Sequence, residues 1–427
     1  MAENKDKKVL NVPNKRELTP NTFDSVERKE VRLKRNVPNL RFKEFEGEWK
    51  ECRLGDLTTE IGDGIHTTPN YEDNGNYYFI NGNNISEAGI IITPTTKRVT
   101  KEEAYKNKAA ILHSNTILLS INGTIGNVAL YNNEPIMLGK SACYINLSSK
   151  TNRHYVFHYL QIPKCQSYFT LELTGTTIKN LSLQSIRKTR IALPILKEQN
   201  KIATFLSLLD ERIATQNKII EELKQLKNGI INNTFNFFKT KYIPFKNLYE
   251  DAGEGGTPST SNASYYDNGT IPFIKIDDLK KKYLTCNKDY ITNLGLQKSS
   301  AWLIPTNSIL FSNGATIGEI SITTYSVATK QGILGIVPNS DVDTEYLYYL
   351  MSSQFFKKAI NRIITEGTMK TAYLKDINKI LCPFPNKEVQ QNIAKLPSIL
   401  NRKIEIEQSL LDKFLVQKQY LLRQMFI

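Results

Sequence analysis

Asn115–Leu130 reads NTILLSINGTIGNVAL, and Asn307–Ile322 reads NSILFSNGATIGEISI. Seven of these 16 positions are identical, including a Ser-x-x-x-Thr-Ile-Gly core: Ser120, Thr124, Ile125 and Gly126 against Ser312, Thr316, Ile317 and Gly318. Working outward, Gly175-Thr176 and Lys179 return as Gly367-Thr368 and Lys370. Pro194…Gln199…Ile202-Ala203 returns as Pro385…Gln390…Ile393-Ala394. A constant offset of 191–192 residues, in the same order, marks duplication of a whole domain and not a solenoid of short repeats. Two divergent copies of one reader suit a target with two halves.

At 427 residues the chain can hold two or three domains with ordinary cores. It carries 56 Lys+Arg against 42 Asp+Glu, a formal +14, of which +10 falls after residue 36. That excess favours a polyanionic partner, because phosphate contacts release counterions. Five scattered cysteines with no C-x-x-C argue for a reducing cytoplasm and against a disulfide framework or zinc knuckle. No apolar run approaches a membrane span of roughly 18 residues, and MAENKDKK is not a signal peptide, so a cytoplasmic protein is expected.

Residues 1–36 read as a polar N-terminal extension. Residues 37–193 form the first β-rich domain, opened by Phe42, Phe45 and Trp49 as aromatic anchors. Its expected strands are Tyr77–Ile80, Ile90–Thr93, Thr116–Leu119 and Val128–Tyr131, with a helical patch at Asn152–Gln161. Residues 194–240 form a central helical region, 241–384 the second domain with a helical patch at Tyr346–Ile360, and 385–427 a C-terminal helical region. In the first helix Ile202, Leu209, Leu223 and Ile230 share one heptad position, and Leu206, Ile213 and Ile220 the other. Gln216 and Lys227 interrupt the seam. The second helix repeats this with Ile393, Leu400, Phe414 and Leu421, and with Ile404 and Leu411, with Glu407 at the position equivalent to Gln216. A period of seven predicts mutual coiled-coil packing, with the central polar residues fixing register. If a pseudo-twofold axis relates the copies, the helices run antiparallel and form a rod of roughly 45 Å. Pro397 lies on the seam, where the second helix is expected to start or kink. The fold class is therefore α+β: two β-rich domains separated by a long antiparallel two-helix coiled coil, pseudo-twofold duplicated.

No G-x-x-x-x-G-K-[ST] loop and no Asn/Asp-Pro-Pro-aromatic tetrapeptide occur, which excludes P-loop and adenine-methyltransferase machinery. Gly253-Glu254-Gly255-Gly256-Thr257-Pro258 reads as a tight turn rather than a phosphate cradle. The triplets Asp278-Leu279-Lys280 and Glu222-Leu223-Lys224 are expected by chance, and the His154/His158 pair has no carboxylate between its members. No catalytic and no metal site is expected. The candidate reading surface is polar and small: His66, Thr67, Asn81, Asn83, Asn122, Thr124, Thr176, Thr177 and Lys179 in the first copy. Thr257, Ser259, Asn313, Thr316, Lys330, Gln331, Thr368 and Lys370 are their counterparts in the second. Asn and Gln bond adenine edges, while Ser, Thr and Lys bind phosphates.

The lead-in VPNLRFKEFEGEWKECRLGDL, the doubled Ser-x-x-x-Thr-Ile-Gly, the Gly-Thr…Lys segment leading to IALPILKEQNKIA, and the paired helices together resemble specificity subunits of type I restriction–modification systems. The resemblance covers Val37 to the C-terminus and implies two target recognition domains reading unlike halves of a split double-stranded DNA sequence. It implies a non-catalytic chain that binds no cofactor itself. Two methyltransferase subunits would use S-adenosylmethionine, and restriction subunits ATP and magnesium. The outer rod faces and the anchors near Phe42 and Trp49 would await the methyltransferases. Two other classes compete: a self-contained restriction–modification enzyme, which needs motifs missing here, and a carbohydrate-binding scaffold, which would be indifferent to salt.

Overall fold

The computed structural model describes residues 36–107, 109–175, 179–237, 239–314, 316–364 and 370–427, so residues 1–35 of the expected extension lie outside it. Copy one contains β1 (Thr58–Asp63), β2 (Tyr77–Ile80), β3 (Thr116–Ser120), β4 (Val128–Leu130), β5 (Ile136–Leu138) and β6 (Ala142–Leu147). Copy two contains β7 (Tyr249–Glu254), β8 (Ile271–Ile274), β9 (Ile309–Ser312), β10 (Ile320–Thr323), β11 (Ala328–Thr329) and β12 (Ile333–Pro338).

The main sheets have equivalent order, β1-β6-β3-β4 and β7-β12-β9-β10, with antiparallel pairing along these strands. Copy two adds Tyr283–Leu284, parallel to β10. A smaller sheet accompanies each: β2 runs parallel to β5, and β8 parallel to β11. Central strands β3 and β6 are buried at every position, which is why TILLS and ACYINL are nearly continuous apolar runs. One expected strand is corrected. Only Gly89–Ile90 pairs, with Ile85–Ser86, while Ile91 and Ile92 are exposed.

The helical patches are present. Arg153–Leu160 is capped by Asn152, whose side chain accepts from Tyr155 N. In copy two the single expected patch is two helices, Thr344–Ser352 and Gln354–Ile363. Ser353 is extended between them, and its Oγ accepts from Phe356 N to start the second. The repeated Pro…Gln signature is a clamp. Gln199 Nε2 donates to Pro194 O (2.9 Å) while Asn152 N donates to Gln199 Oε1 (3.1 Å). Gln390 does the same with Pro385 O (2.9 Å) and Asp343 N (2.8 Å). Each clamp ties a domain to the root of its long helix and satisfies buried backbone groups.

The long helices are Leu196–Phe237 and Lys387–Gln424. The second does not start at Pro397. It starts ten residues earlier at Lys387, capped by Asn386, and continues through the proline, which is buried. Each helix begins on one domain and ends on the other: Ile202, Ala203 and Leu206 lie in the copy-one core, and Ile231 and Phe235 in that of copy two. Ala394 starts on copy two, and Leu421, Leu422, Met425 and Phe426 finish in copy one.

Pairing is antiparallel. Asp210 meets Lys418 (2.9 Å), the Arg212 guanidinium lies over the Phe414 ring (5.2 Å), and Lys227 donates to Asn401 Oδ1 (3.1 Å). Gln216 Nε2 donates to both the carbonyl (3.1 Å) and the carboxylate (2.6 Å) of Glu407. Asp210 and Asn401, Lys418 and Lys227, and Gln216 and Glu407 are each 191 positions apart. The pseudo-twofold axis therefore passes between Gln216 and Glu407. Ile220, Ile404 and Leu411 are the apolar seam beside it. From Leu209, packed on the copy-one core, to Ile231 on the other, the free rod is about 33 Å at 1.5 Å per residue. It is shorter than the expected 45 Å because the outer turns are absorbed by the domains.

Candidate nucleic-acid interface

The doubled Ser-x-x-x-Thr-Ile-Gly motif is a hairpin tip at one end of each main sheet. Gly126 N donates to Ser120 O (2.9 Å) and Ser120 N to Asn127 O (2.8 Å). Gly318 N donates to Ser312 O (3.0 Å) and Ser312 N to Glu319 O (2.8 Å). Closure needs a left-handed residue, and Gly126 (φ 92°) and Gly318 (φ 108°) supply it. The identical residues thus build the tip.

Around the copy-one tip several expected residues converge. Thr124 Oγ1 donates to Gly82 O (2.8 Å), and Ser141 Oγ donates to Asn81 Oδ1 (3.0 Å). Asn122 bridges to Asn180, and its Oδ1 is buried without a protein partner among the described residues. Asn83 is exposed on the turn that carries Gly82. His66 and Thr67 are exposed beyond Ile65, which bridges to Gly139, and His66 Nε2 pairs with Asp63 (2.8 Å). Lys179 is exposed at a groove of about 410 Å³ lined also by Gly123, Ile125, Gln166 and Phe169. Thr176 and Thr177 lie outside the described residues.

In copy two, Gln331 N donates to Thr257 Oγ1 (3.4 Å), so Thr257, Lys330 and Gln331 share one exposed edge. The Gly-rich run permits that approach: a Cβ on Gly255 would lie 2.2 Å from Thr329 Oγ1, just as one on Gly64 would lie 2.0 Å from Leu138 O. Ser259 is exposed, its Oγ bonded to Ser261 Oγ and its carbonyl accepting from Asn262 N, and Thr316 is exposed at the tip. Lys370 is exposed; Thr368 lies outside the described residues. Asn313 departs from expectation. It is 1% exposed, with Nδ2 donating to Ala372 O (3.3 Å). Its backbone N donates to Gly332 O and its carbonyl accepts from Ala372 N, where Ile121 bonds Ser141 O and Leu181 N. Asn313 therefore occupies the site of Ile121 and faces inward.

Lys140 was missed by the sequence reading. It is exposed in the β5–β6 turn, which matches the Lys330-Gln331 turn before β12. Its structural counterpart is Gln331, 191 positions later, and that spacing from an expected residue was the available signal. Elsewhere, the residues tested for chemistry have structural partners. His154 Nδ1 (3.2 Å) and His158 Nε2 (3.5 Å) both meet Ser207 Oγ, and Asp278 accepts from Lys275 N (2.9 Å). Trp49 is buried in its own domain and Phe42 packs on Phe205, so Trp49 does not await a partner. Among the described residues no His, Cys, Asp and Glu group suits a metal, and no helix is long and apolar enough to cross a membrane.

The family profile described as "Type I restriction modification DNA specificity domain" matches residues 46–225 and again 235–414. The chain belongs to this family. It is similar to the type I restriction enzyme MjaVIII specificity subunit of Methanocaldococcus jannaschii, 24% identical over 401 residues, 86% of this chain and 90% of that protein. It also resembles the Escherichia coli EcoR124I/EcoR124II specificity subunit, 24% identical over 202 residues, 44% of this chain and 49% of that one. In fold it matches the crystal structure of a type I restriction–modification S subunit from M. genitalium. The TM-score is 0.57 at 17% identity, covering 92% of this chain and 99% of that one. This type I specificity chain thus carries two family domains, each bearing one loop cluster.

Proposed function

We propose that this specificity chain reads a split, asymmetric double-stranded DNA target, residues 37–193 serving one half-site and 241–384 the other, across an unread spacer. The supporting observation is the pseudo-twofold axis through Gln216 and Glu407, which relates the two loop clusters as duplex symmetry relates two half-sites. The free rod of about 33 Å is close to the roughly 34–36 Å of one duplex turn. Exposed Lys140 and Lys179 in one cluster, and Lys330 and Lys370 in the other, supply phosphate contacts.

The chain is a reader without a catalyst, acting in the cytoplasm. Two methyltransferase subunits bind it, using S-adenosylmethionine, and restriction subunits join with ATP and magnesium. Phe205, Leu208, Leu396 and Ile399 leave 40–59% of their surface exposed on the rod at positions 191 apart, giving a repeated apolar face for the paired subunits. Exchanging residues 50–193 for those of a relative, then mapping methylated adenines in cells, tests this. One half of the motif should change and the other persist; change in both halves refutes independent reading.

A further inference from the structure

Each domain carries a second concavity away from its loop cluster. In copy one a cleft of about 360 Å³ is lined by Arg53, Tyr159, Lys164, Tyr168, Lys188 and Arg190. In copy two a cleft of about 530 Å³ is lined by Phe355, Lys358, Ala359, Arg362, Lys379 and Leu381, among others. Lys164, Tyr168, Lys188, Thr189 and Arg190 line the first, and the residues 191 positions later, Phe355, Ala359, Lys379, Ile380 and Leu381, line the second. The clefts are therefore related by the rod's pseudo-twofold.

Both are basic with apolar walls. The first has four cations, of which Arg190 is engaged by Glu51 (2.7 Å) and Lys164 donates to Ile427 O (3.4 Å). The second has three, and its one lining acid, Asp376, is held by Lys379 (2.8 Å). Leu381 is 57% exposed on that wall and Phe237, next to the lining Asn236, 75%. Apolar surface of this kind beside an excess of cations marks a docking site for a protein segment more than for solvent.

The clefts do not share the loop face. Helix Pro163–Leu171 presents Lys164, Cys165 and Tyr168 to the cleft, and Gln166, Phe169 and Thr170 to the groove beside Lys179. A duplex on the loops would lie across that helix from the cleft.

We propose that the two clefts each receive an acidic segment with a bulky apolar anchor, contributed once by each of two copies of the same partner subunit. This rests on the reading that two methyltransferase subunits assemble on the chain. Duplicated clefts suit a partner present twice, and the cationic rims select an acidic sequence. The copy-one cleft, smaller and richer in cations, gives the more salt-sensitive attachment. The copy-two cleft, wider and with more apolar wall, holds its partner better in salt.

The test uses the co-expressed complex of the full chain with its methyltransferase subunit. Native mass spectrometry and titration would count partners per chain. Lys164→Glu with Lys188→Glu should weaken one attachment at least tenfold, giving a one-partner complex where the parent holds two. Lys358→Glu with Lys379→Glu should do the same at the other end. K164R/K188R and K358R/K379R should retain both partners, and thermal unfolding should show all four variants folded. Two partners held with parental affinity by both charge-reversed variants would overturn the proposal. So would retained partners with weakened DNA binding, which would make the clefts phosphate contacts. A parent chain that binds DNA but no methyltransferase would instead fail the functional reading beneath it.

Discussion

Lengthening the rod by one heptad tests whether it sets the spacer, and the pairing dictates where the residues must go. Arg212 lies over Phe414, so insertions after Arg212 and after Lys413 face each other across the seam. The contacts Asp210–Lys418 and Arg212–Phe414 then stay with the first domain, and Gln216–Glu407 and Lys227–Asn401 move together with the second. Seven residues keep the apolar seam in phase and add about 10.5 Å, or roughly 3 bp at 3.4 Å per step. They also turn the second half-site by about a third of a duplex turn, since a turn holds 10–10.5 bp. Twisting the complex or the DNA back into register costs on the order of several kcal/mol. Methylation mapping should show a spacer longer by about 3 bp with weakened binding, or loss of specific methylation while the protein stays folded. Insertion after Glu222 and Lys413 instead carries Glu407 away from Gln216 by about 10.5 Å and should unfold at lower urea. Normal methylation of the original motif by the facing-insertion protein would refute the ruler, leaving the rod only a mount for partners.

Lys179→Ala or Lys370→Ala should weaken binding to all sequences and lower the salt slope by about 0.9; lost discrimination at one base with an unchanged slope would place that lysine in a groove. Burial first, then Lys418 and His154, push His158 down to about 3, so it is neutral when folded. The unfolded chain takes up that proton below about pH 6.5, so stability falls as pH drops from 6.5 toward 3, by roughly 2 kcal/mol at pH 5. His158→Gln should flatten this limb of the urea midpoints, and an unchanged limb would contradict the assignment. Phe426 is 5% exposed against Tyr155 and Tyr159. Phe426→Ala should cost about 3–5 kcal/mol and speed proteolysis near the C-terminus; an unaltered urea midpoint would argue against anchoring there.

The duplication, the antiparallel rod and its polar centre were legible because they rest on spacing. Identities at 191–192 and apolar residues every seven survive divergence when they keep a backbone turn or a seam. The mistakes have physical causes. Ile91 and Ile92 are β-branched yet exposed, because the hairpin ends at Ile90 and Ile91 is held only by the Asn84 turn, donating to Asn84 O (2.7 Å) and accepting from its Nδ2 (3.0 Å). Pro397 sits within a helix already nucleated by Asn386 and packed on copy two, where tertiary contacts outweigh one missing hydrogen bond. Asn313 matched a reader in type, but its backbone partners give it the inward site that Ile121 fills in the other copy. Lys140 was overlooked because one lysine in a turn carries no periodic signal.

What repeats in this chain is the frame, and what diverges is the surface that would be read. Gly126 and Gly318, Gln199 and Gln390, and Tyr155 and Tyr346 make the same bonds in both copies; the two tyrosines each donate to a carbonyl 37 residues on, at 2.6 Å. Ala142 and Cys143 answer to Ile333 and Leu334 in the strands, while the adjoining turn exposes Lys140 in one copy and Lys330 and Gln331 in the other. Copy two also gains a strand beside β10. A symmetric scaffold matches the near-symmetry of the phosphate backbone, which carries no sequence information. Unlike turns on that scaffold present different donors and acceptors to the bases. The two halves of the target should accordingly differ in sequence while lying at a fixed distance and angle, because divergence spared the residues that set the angle.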